Sequence, residues 1–299
     1  MARPLRWGAQ GRQSANWIGN RRSRTWTTVK FGISLAASLE ERCLLLNSTG
    51  MNESKCRFVL LTGAAGRIGT AFREAHGEQY RFRLADLDAD VLADTPGTDH
   101  EVVRLDIADA DACREACAGI DTVVHLAADP SPEADWESSL LPNNIEGTVN
   151  VFRAASEAGC RRVVFASSVH AVGGLQDEAI PDDAPPRPVN LYGASKAFGE
   201  AVAATYSAAG LSSIAIRIGA YDAPWFYEDG DATAAMAYVS ARDLNDLLVR
   251  CIETDNITYA VVAGISDNAR KRFDLIQTRQ LLGYDPQDDG FKVLGIDAS

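Results

Sequence analysis

Leu60-Leu61-Thr62-Gly63-Ala64-Ala65-Gly66-Arg67-Ile68-Gly69 decides the fold of this 299-residue chain. An apolar run of strand character meets glycines at 63, 66 and 69 and then enters a helix. Glycines there permit a tight turn and let the backbone lie against a pyrophosphate, held by free N–H groups at the helix N-terminus. The motif follows a strand and opens a helix, the context a dinucleotide cradle requires. Gly63, Gly66, Arg67, Ile68 and Gly69 are therefore candidate cofactor contacts.

Outward from this stretch, strands alternate with helical patterns. Strands are predicted at 58–62, 81–85, 101–105, 122–126, 162–166, 213–218 and 258–264. Helices are predicted at 66–76, 108–118, 144–158, 192–209, 241–253 and 273–282, with a Pro-rich surface loop at 181–188. Such alternation predicts an α/β fold, a doubly wound parallel sheet of Rossmann type. The expected organisation is a dinucleotide-binding domain over 51–219 and a small substrate-cap region over 220–299 that also includes the loop 169–191.

Residues 1–50 stand apart. They carry eight basic and two acidic residues, leaving 21 basic against 39 acidic, a net of −18, in the remainder. This segment is expected to be an unstructured or spurious extension ahead of an initiator at Met51; an Arg-rich transit peptide and an export signal are the alternatives. So acidic a body repels nucleic acid and anionic membrane, and no apolar run reaches the roughly 18 residues of a span. The six cysteines show no metal-ligand spacing, so no metal is expected, and reduced thiols fit a cytoplasmic protein.

Asp86 ends the second strand, 23 positions after Gly63. A carboxylate there can accept both hydroxyls of an adenosine ribose and repels a 2′-phosphate. Leu87 and Asp88 beside it bring no cation, which favours NAD over NADP. Asp106, at the end of the third strand, is either an acceptor for the adenine amino group or a cap for the following helix.

Ser168, Tyr192 and Lys196 form the candidate catalytic set. Tyr192-x-x-x-Lys196 puts a phenol and an ammonium one turn apart on a helix face. A free phenol has a pKa of about 10 and is a poor base at neutral pH. A neighbouring ammonium and a positive nicotinamide ring pull that value down, and Ser168 can hold the reacting oxygen while Tyr192 takes its proton. Asn144 either orders a relay water or caps a helix, His125 reads as a structural histidine, and His170 lies within reach of a substrate hydroxyl.

Several longer motifs carry a resemblance. They are His125-Leu126-Ala127-Ala128-Asp129-Pro130, Asn143-Asn144-Ile145-Glu146-Gly147-Thr148, Phe165-Ala166-Ser167-Ser168-Val169-His170-Ala171-Val172-Gly173, Asn190-Leu191-Tyr192-Gly193-Ala194-Ser195-Lys196, Arg217-Ile218-Gly219 and Gly283-Tyr284-Asp285-Pro286-Gln287-Asp288. Together they resemble the extended short-chain dehydrogenase/reductases, the NAD-dependent epimerase/dehydratase family, and within it the uronate dehydrogenases and haloarchaeal NAD-dependent glucose-6-phosphate dehydrogenases. The resemblance covers about residues 57–290.

It implies oxidation at the anomeric carbon of an aldose or hexuronate to the lactone, with NAD as acceptor, in an assembly of identical chains. It adds Ile107, Leu126, Ala127 and Ala128 to the cofactor contacts. It adds Ser131, Val169 and Thr233 to Ser168 and His170 on the substrate side. Two positions depart from the family pattern. Val169 stands where an Asn follows the serine, and Thr233 where an Arg meets the substrate's anionic group; no Arg or Lys lies between Arg217 and Arg242. A sugar epimerase that retains NAD and a non-catalytic dinucleotide-binding regulator are the competing functions.

Overall fold

The computed structural model describes residues 57–92, 95, 100–175 and 179–298. The extension 1–50 lies outside the described residues. Along the chain the strands are β1 (Phe58–Thr62), β2 (Arg81–Asp86), β3 (Glu101–Arg104), β4 (Thr122–His125), β5 (Arg162–Ser168), β6 (Ser212–Ile218), β7 (Ala220–Tyr221), β8 (Tyr238–Val239) and β9 (Tyr259–Gly264). Seven of them form one sheet in the order β3-β2-β1-β4-β5-β6-β9, every pairing parallel.

Parallel strands need crossovers and are buried on both faces. β1 shows why: all five of its residues are buried. Val59 and Leu61 join Phe72, Phe82, Leu244 and Leu248 in one core, while Phe58 and Leu60 join Val123, Phe152 and Phe165 in the other. The strand order reverses between β1 and β4, and an open α/β sheet leaves a crevice at the carboxyl ends of its strands at such a point.

Three elements differ from expectation. The helix expected at 144–158 starts earlier, as a wide π-type helix, Trp136–Gly147, that contains Pro142 and continues into Thr148–Glu157. The helix expected at 273–282 is only Ile276–Leu282, because Phe273 pairs with Ile180 in an isolated parallel bridge. Between residues 219 and 241 two short helices appear, Pro224–Asp229 and Ala232–Met236, flanked by the small β7–β8 pair.

The sheet also reaches past residue 219, since β9 pairs with β6 along its whole length. The Ser240-x-x-Asp243 segment and the 283–288 motif meet here. Asp243 accepts the backbone N–H groups of Gln287 and Asp288 and the Ser266 hydroxyl, and Ser240 Oγ donates to Asp288 at 2.6 Å. These residues lock the end of the chain onto the helix Ala241–Glu253.

Candidate active site

A cleft of about 1190 Å³ runs along the carboxyl ends of the strands. At one end lies the glycine turn. Gly63 has φ +71°, and a Cβ there would stand 2.7 Å from the Ala127 nitrogen, so only glycine lets this turn pack on the loop after β4. The helix Arg67–His76 begins at Gly66 with no side chain capping it. Its first N–H groups are thus left for an anion. Asp86 lines the cleft beside them, with Oδ2 accepting the Ala65 N–H at 2.9 Å. Leu87, Asp106, Ile107, Leu126, Ala127 and Ala128 also line it. Asp106 accepts the Ala108 N–H, whereas the cap of the next helix is Asp109.

Further along, β5 delivers Ser168 from a strand whose seven residues are all buried. The helix Leu191–Ala208 is capped by Asn190, whose Oδ1 accepts the Gly193 N–H at 2.7 Å. A Cβ on Gly193 would lie 2.3 Å from the His170 carbonyl, so its absence lets the helix start press against the turn after β5. That contact sets the Tyr192 phenol in the same cleft as Ser168. Lys196, buried one turn on, donates to the Ala166 carbonyl at 2.9 Å and sits 5.8 Å from the centre of the Tyr192 ring.

Burial raises the Tyr192 phenol above its usual value; the Ser168 hydrogen bond opposes this and the Asp129 carboxylate adds to it. The direction is opposite to the depression expected from Lys196. Burial dominates, and it also drops the Lys196 ammonium to about 8. His170 packs edge-on to the Tyr192 ring at 5.5 Å, and burial holds it below the usual imidazole value.

Other candidates separate. Val169 and Thr233 line the cleft. Ser131 does not: Pro130 and Pro132 face it, while Ser131 Oγ accepts the Glu133 N–H in a local turn. Asn144 is inside the π-type helix rather than at a cap. Its side chain accepts from the Asp129 nitrogen and donates to the Asp129 carbonyl and the Ser195 hydroxyl. Asp129, Asn143, Tyr221 and Trp225 line the cleft as well, and no sequence pattern singled them out as site residues.

His125 is structural, with Nδ1 2.8 Å from Thr62 Oγ1, and its Nε2 has no hydrogen-bond partner among the described residues. Burial, with a smaller contribution from Lys196, pushes its pKa from 6.5 down to about 3. As pH falls below 6.5 the unfolded chain takes a proton that the folded one refuses, so stability is lost. The slope is about 1.4 kcal/mol per pH unit. Urea unfolding between pH 7.5 and 5 should show it, and His125→Gln should reduce the slope by about one proton. An unchanged slope would assign the acid sensitivity elsewhere.

Behind Ser168, Glu200 accepts from Ser167 Oγ at 2.6 Å and from two nitrogens of Arg217 at 2.8 Å. Both members of the ion pair are buried. Glu200→Gln strands the guanidinium and should cost about 3–5 kcal/mol in a denaturant titration. A cost below 1 kcal/mol would mean that the carbonyls of Asp182 and Ala184 suffice for Arg217.

Comparison with known proteins places this geometry. Residues 59–246 match the model of the NAD dependent epimerase/dehydratase family. The chain belongs to that family. It is 42% identical over 252 residues to the NAD-dependent glucose-6-phosphate dehydrogenase of Haloferax volcanii, covering 77% of this chain and 93% of the relative. It is 36% identical to the uronate dehydrogenase of Pseudomonas putida, over 77% of this chain and 84% of that protein. A mutant uronate dehydrogenase from Agrobacterium tumefaciens, solved in complex with NAD, superposes with a TM-score of 0.71 at 33% identity, covering 79% of this chain and 88% of that one. The family match spans the glycine turn, Asp86, Ser168, Tyr192 and Lys196. Among the described residues no helix is long and apolar enough to cross a membrane.

Proposed function

We propose that this protein is an NAD-dependent dehydrogenase that oxidises a sugar hydroxyl, at the anomeric C1 of an aldose, to the lactone. The observation that carries the reading is that Ser168, Tyr192 and Lys196 line the same cleft as the glycine turn and Asp86. The residues fit NAD: a turn at Gly63 that a Cβ would block, an uncapped helix N-terminus, and a carboxylate at the end of β2. When bound, NAD supplies the acceptor for the hydride that leaves C1.

The chain's own groups do the rest. Ser168 Oγ holds the C1 oxygen, and Tyr192, as phenolate, takes its proton. Lys196 compensates the charge that forms on the phenol as that proton arrives or leaves. Asp86 orients the adenosine ribose through its hydroxyls. The cleft-lining part of 220–237, with Val169 and His170 after β5, serves as the substrate cap in this reading, and the extension 1–50 is dispensable. Identical subunits associate, nucleic acid takes no part, and the buried free thiols Cys113, Cys117, Cys160 and Cys251 accord with a cytoplasmic setting.

The lining of the cleft bears on substrate charge. Among the described residues that line it, the cations are Arg67, at the glycine turn, and the buried Lys196. Neither Arg187 nor Arg242 lines it, and Arg242 pairs with Asp288 at 2.6 Å. The sugar end therefore has no guanidinium for a carboxylate or phosphate, which favours a neutral aldose. NADH formation across aldoses, uronates and sugar phosphates tests the reading.

Cofactor choice is separately testable. NAD should be used far better than NADP. Asp86→Ala should narrow the gap mainly by weakening NAD, by tenfold or more, as expected for losing hydrogen bonds of about 1.5–3 kcal/mol to a charged group. Equal kcat/KM with NADP in the unaltered protein would contradict the assignment of Asp86.

A further inference from the structure

Trp225 is 45% exposed although it lines the cleft. Its helix, Pro224–Asp229, is pinned by the next residue: Phe226 is fully buried and stacks on Tyr238 with ring centres 4.5 Å apart. The Trp225 indole stands perpendicular to Phe226 at 6.0 Å, and the Tyr227 hydroxyl is tied to Asp222. The indole is thus set on a rigid mount and left facing the cleft. An aromatic face left open in a cleft is a surface on which a ligand ring can lie.

The residues around it indicate what kind of ligand. β6 pairs in register with β5, Ser168 beside Ile218, so the segment that follows β6 leaves the sheet next to Ser168. Its contributions to the cleft from 220 to 237 are Ala220, Tyr221, Trp225, Thr233, Ala234 and Ala237, none of them charged. The loop after β4 contributes Asp129, a carboxylate whose oxygens accept from Ser131 N and Ser139 Oγ. A carboxylate can accept further sugar hydroxyls through its remaining lone pairs, and it repels an anionic substituent. An aromatic face on one side and hydroxyl-binding groups on the other suit an uncharged pyranose, whose C–H face is apolar and whose rim is polar.

We propose that Trp225 is the platform on which the ring of a neutral aldose lies. This rests on the sugar-dehydrogenase reading above. The test separates the two by measuring binding without turnover. D-glucose, D-galactose and L-arabinose are titrated by calorimetry into the NADH complex of a Tyr192→Phe protein, with and without Trp225→Ala. The Trp225→Ala change should weaken the best-bound sugar about tenfold or more. In the otherwise unaltered protein it should raise KM by a similar factor with kcat little changed, and Trp225→Phe should restore most of the loss. NADH affinity and the melting temperature should stay as they were. Unchanged sugar affinity in Trp225→Ala overturns the proposal. So does a parallel fall in NADH affinity, which would mean that the indole covers the cofactor. Absence of NADH production from every sugar by the unaltered protein would instead overturn the dehydrogenase reading.

Discussion

Tyr192→Phe should lower kcat for sugar oxidation by about 10²–10⁴-fold, the usual effect of losing a positioned proton-transfer group. The phenol is buried against Ser168, and phenylalanine fills the same space, so the NAD and sugar sites should survive. The loss should therefore fall on kcat, with the Kd for NAD nearly unchanged in a fluorescence titration. Burial raises the phenol, so at neutral pH the base form is the minor one. As pH falls the phenolate is protonated further, and the oxidation rate must drop on the acid side. That limb should vanish in Tyr192→Phe. Lys196→Ala should instead damage both turnover and NAD affinity, because Lys196 lines the cleft beside the phenol and, in the proposed mechanism, also bonds the nicotinamide ribose. Wild-type turnover in Tyr192→Phe would refute the mechanism.

Galacturonate and glucuronate should be oxidised at least about a hundredfold less efficiently than the best neutral aldose, since an anion buried without its cation costs several kcal/mol. Thr233 lines the cleft where an arginine would give a bidentate, charge-assisted pair, and Val169 lines it where an amide could both donate and accept. Thr233→Arg combined with Val169→Asn should then raise kcat/KM for uronates while leaving NAD affinity intact. Efficient uronate oxidation by the unaltered protein would show that another group supplies the charge. Arg187 and Arg242 would be the first to replace, even though neither lines the cleft.

The redox end of the cleft was legible because each of its parts leaves a short-range pattern. Gly63, Gly66 and Gly69 mark the turn, Asp86 ends a strand, and Tyr192 and Lys196 keep helical spacing; all of these line one cleft. The substrate end was less legible. Helices of six and five residues, Pro224–Asp229 and Ala232–Met236, are too short to show a period, so Trp225 carried no signal of which way it faces. The π-type stretch Trp136–Gly147 escapes a 3.6-residue pattern, and Pro142 inside it reads as a helix breaker. Ser131 falls outside the lining because its neighbours Pro130 and Pro132 face the cleft there. The direction of the Tyr192 shift depends on burial, a tertiary property that the Tyr-x-x-x-Lys spacing does not contain.

The most direct test of the account follows NADH by its absorbance when the purified protein, NAD and a panel of aldoses, uronates and sugar phosphates are mixed, with the sugar product identified by NMR. The account predicts stoichiometric NADH and a lactone from a neutral aldose. A sugar converted to its epimer with no net NADH, or no reaction with any sugar while NAD still binds, would contradict it.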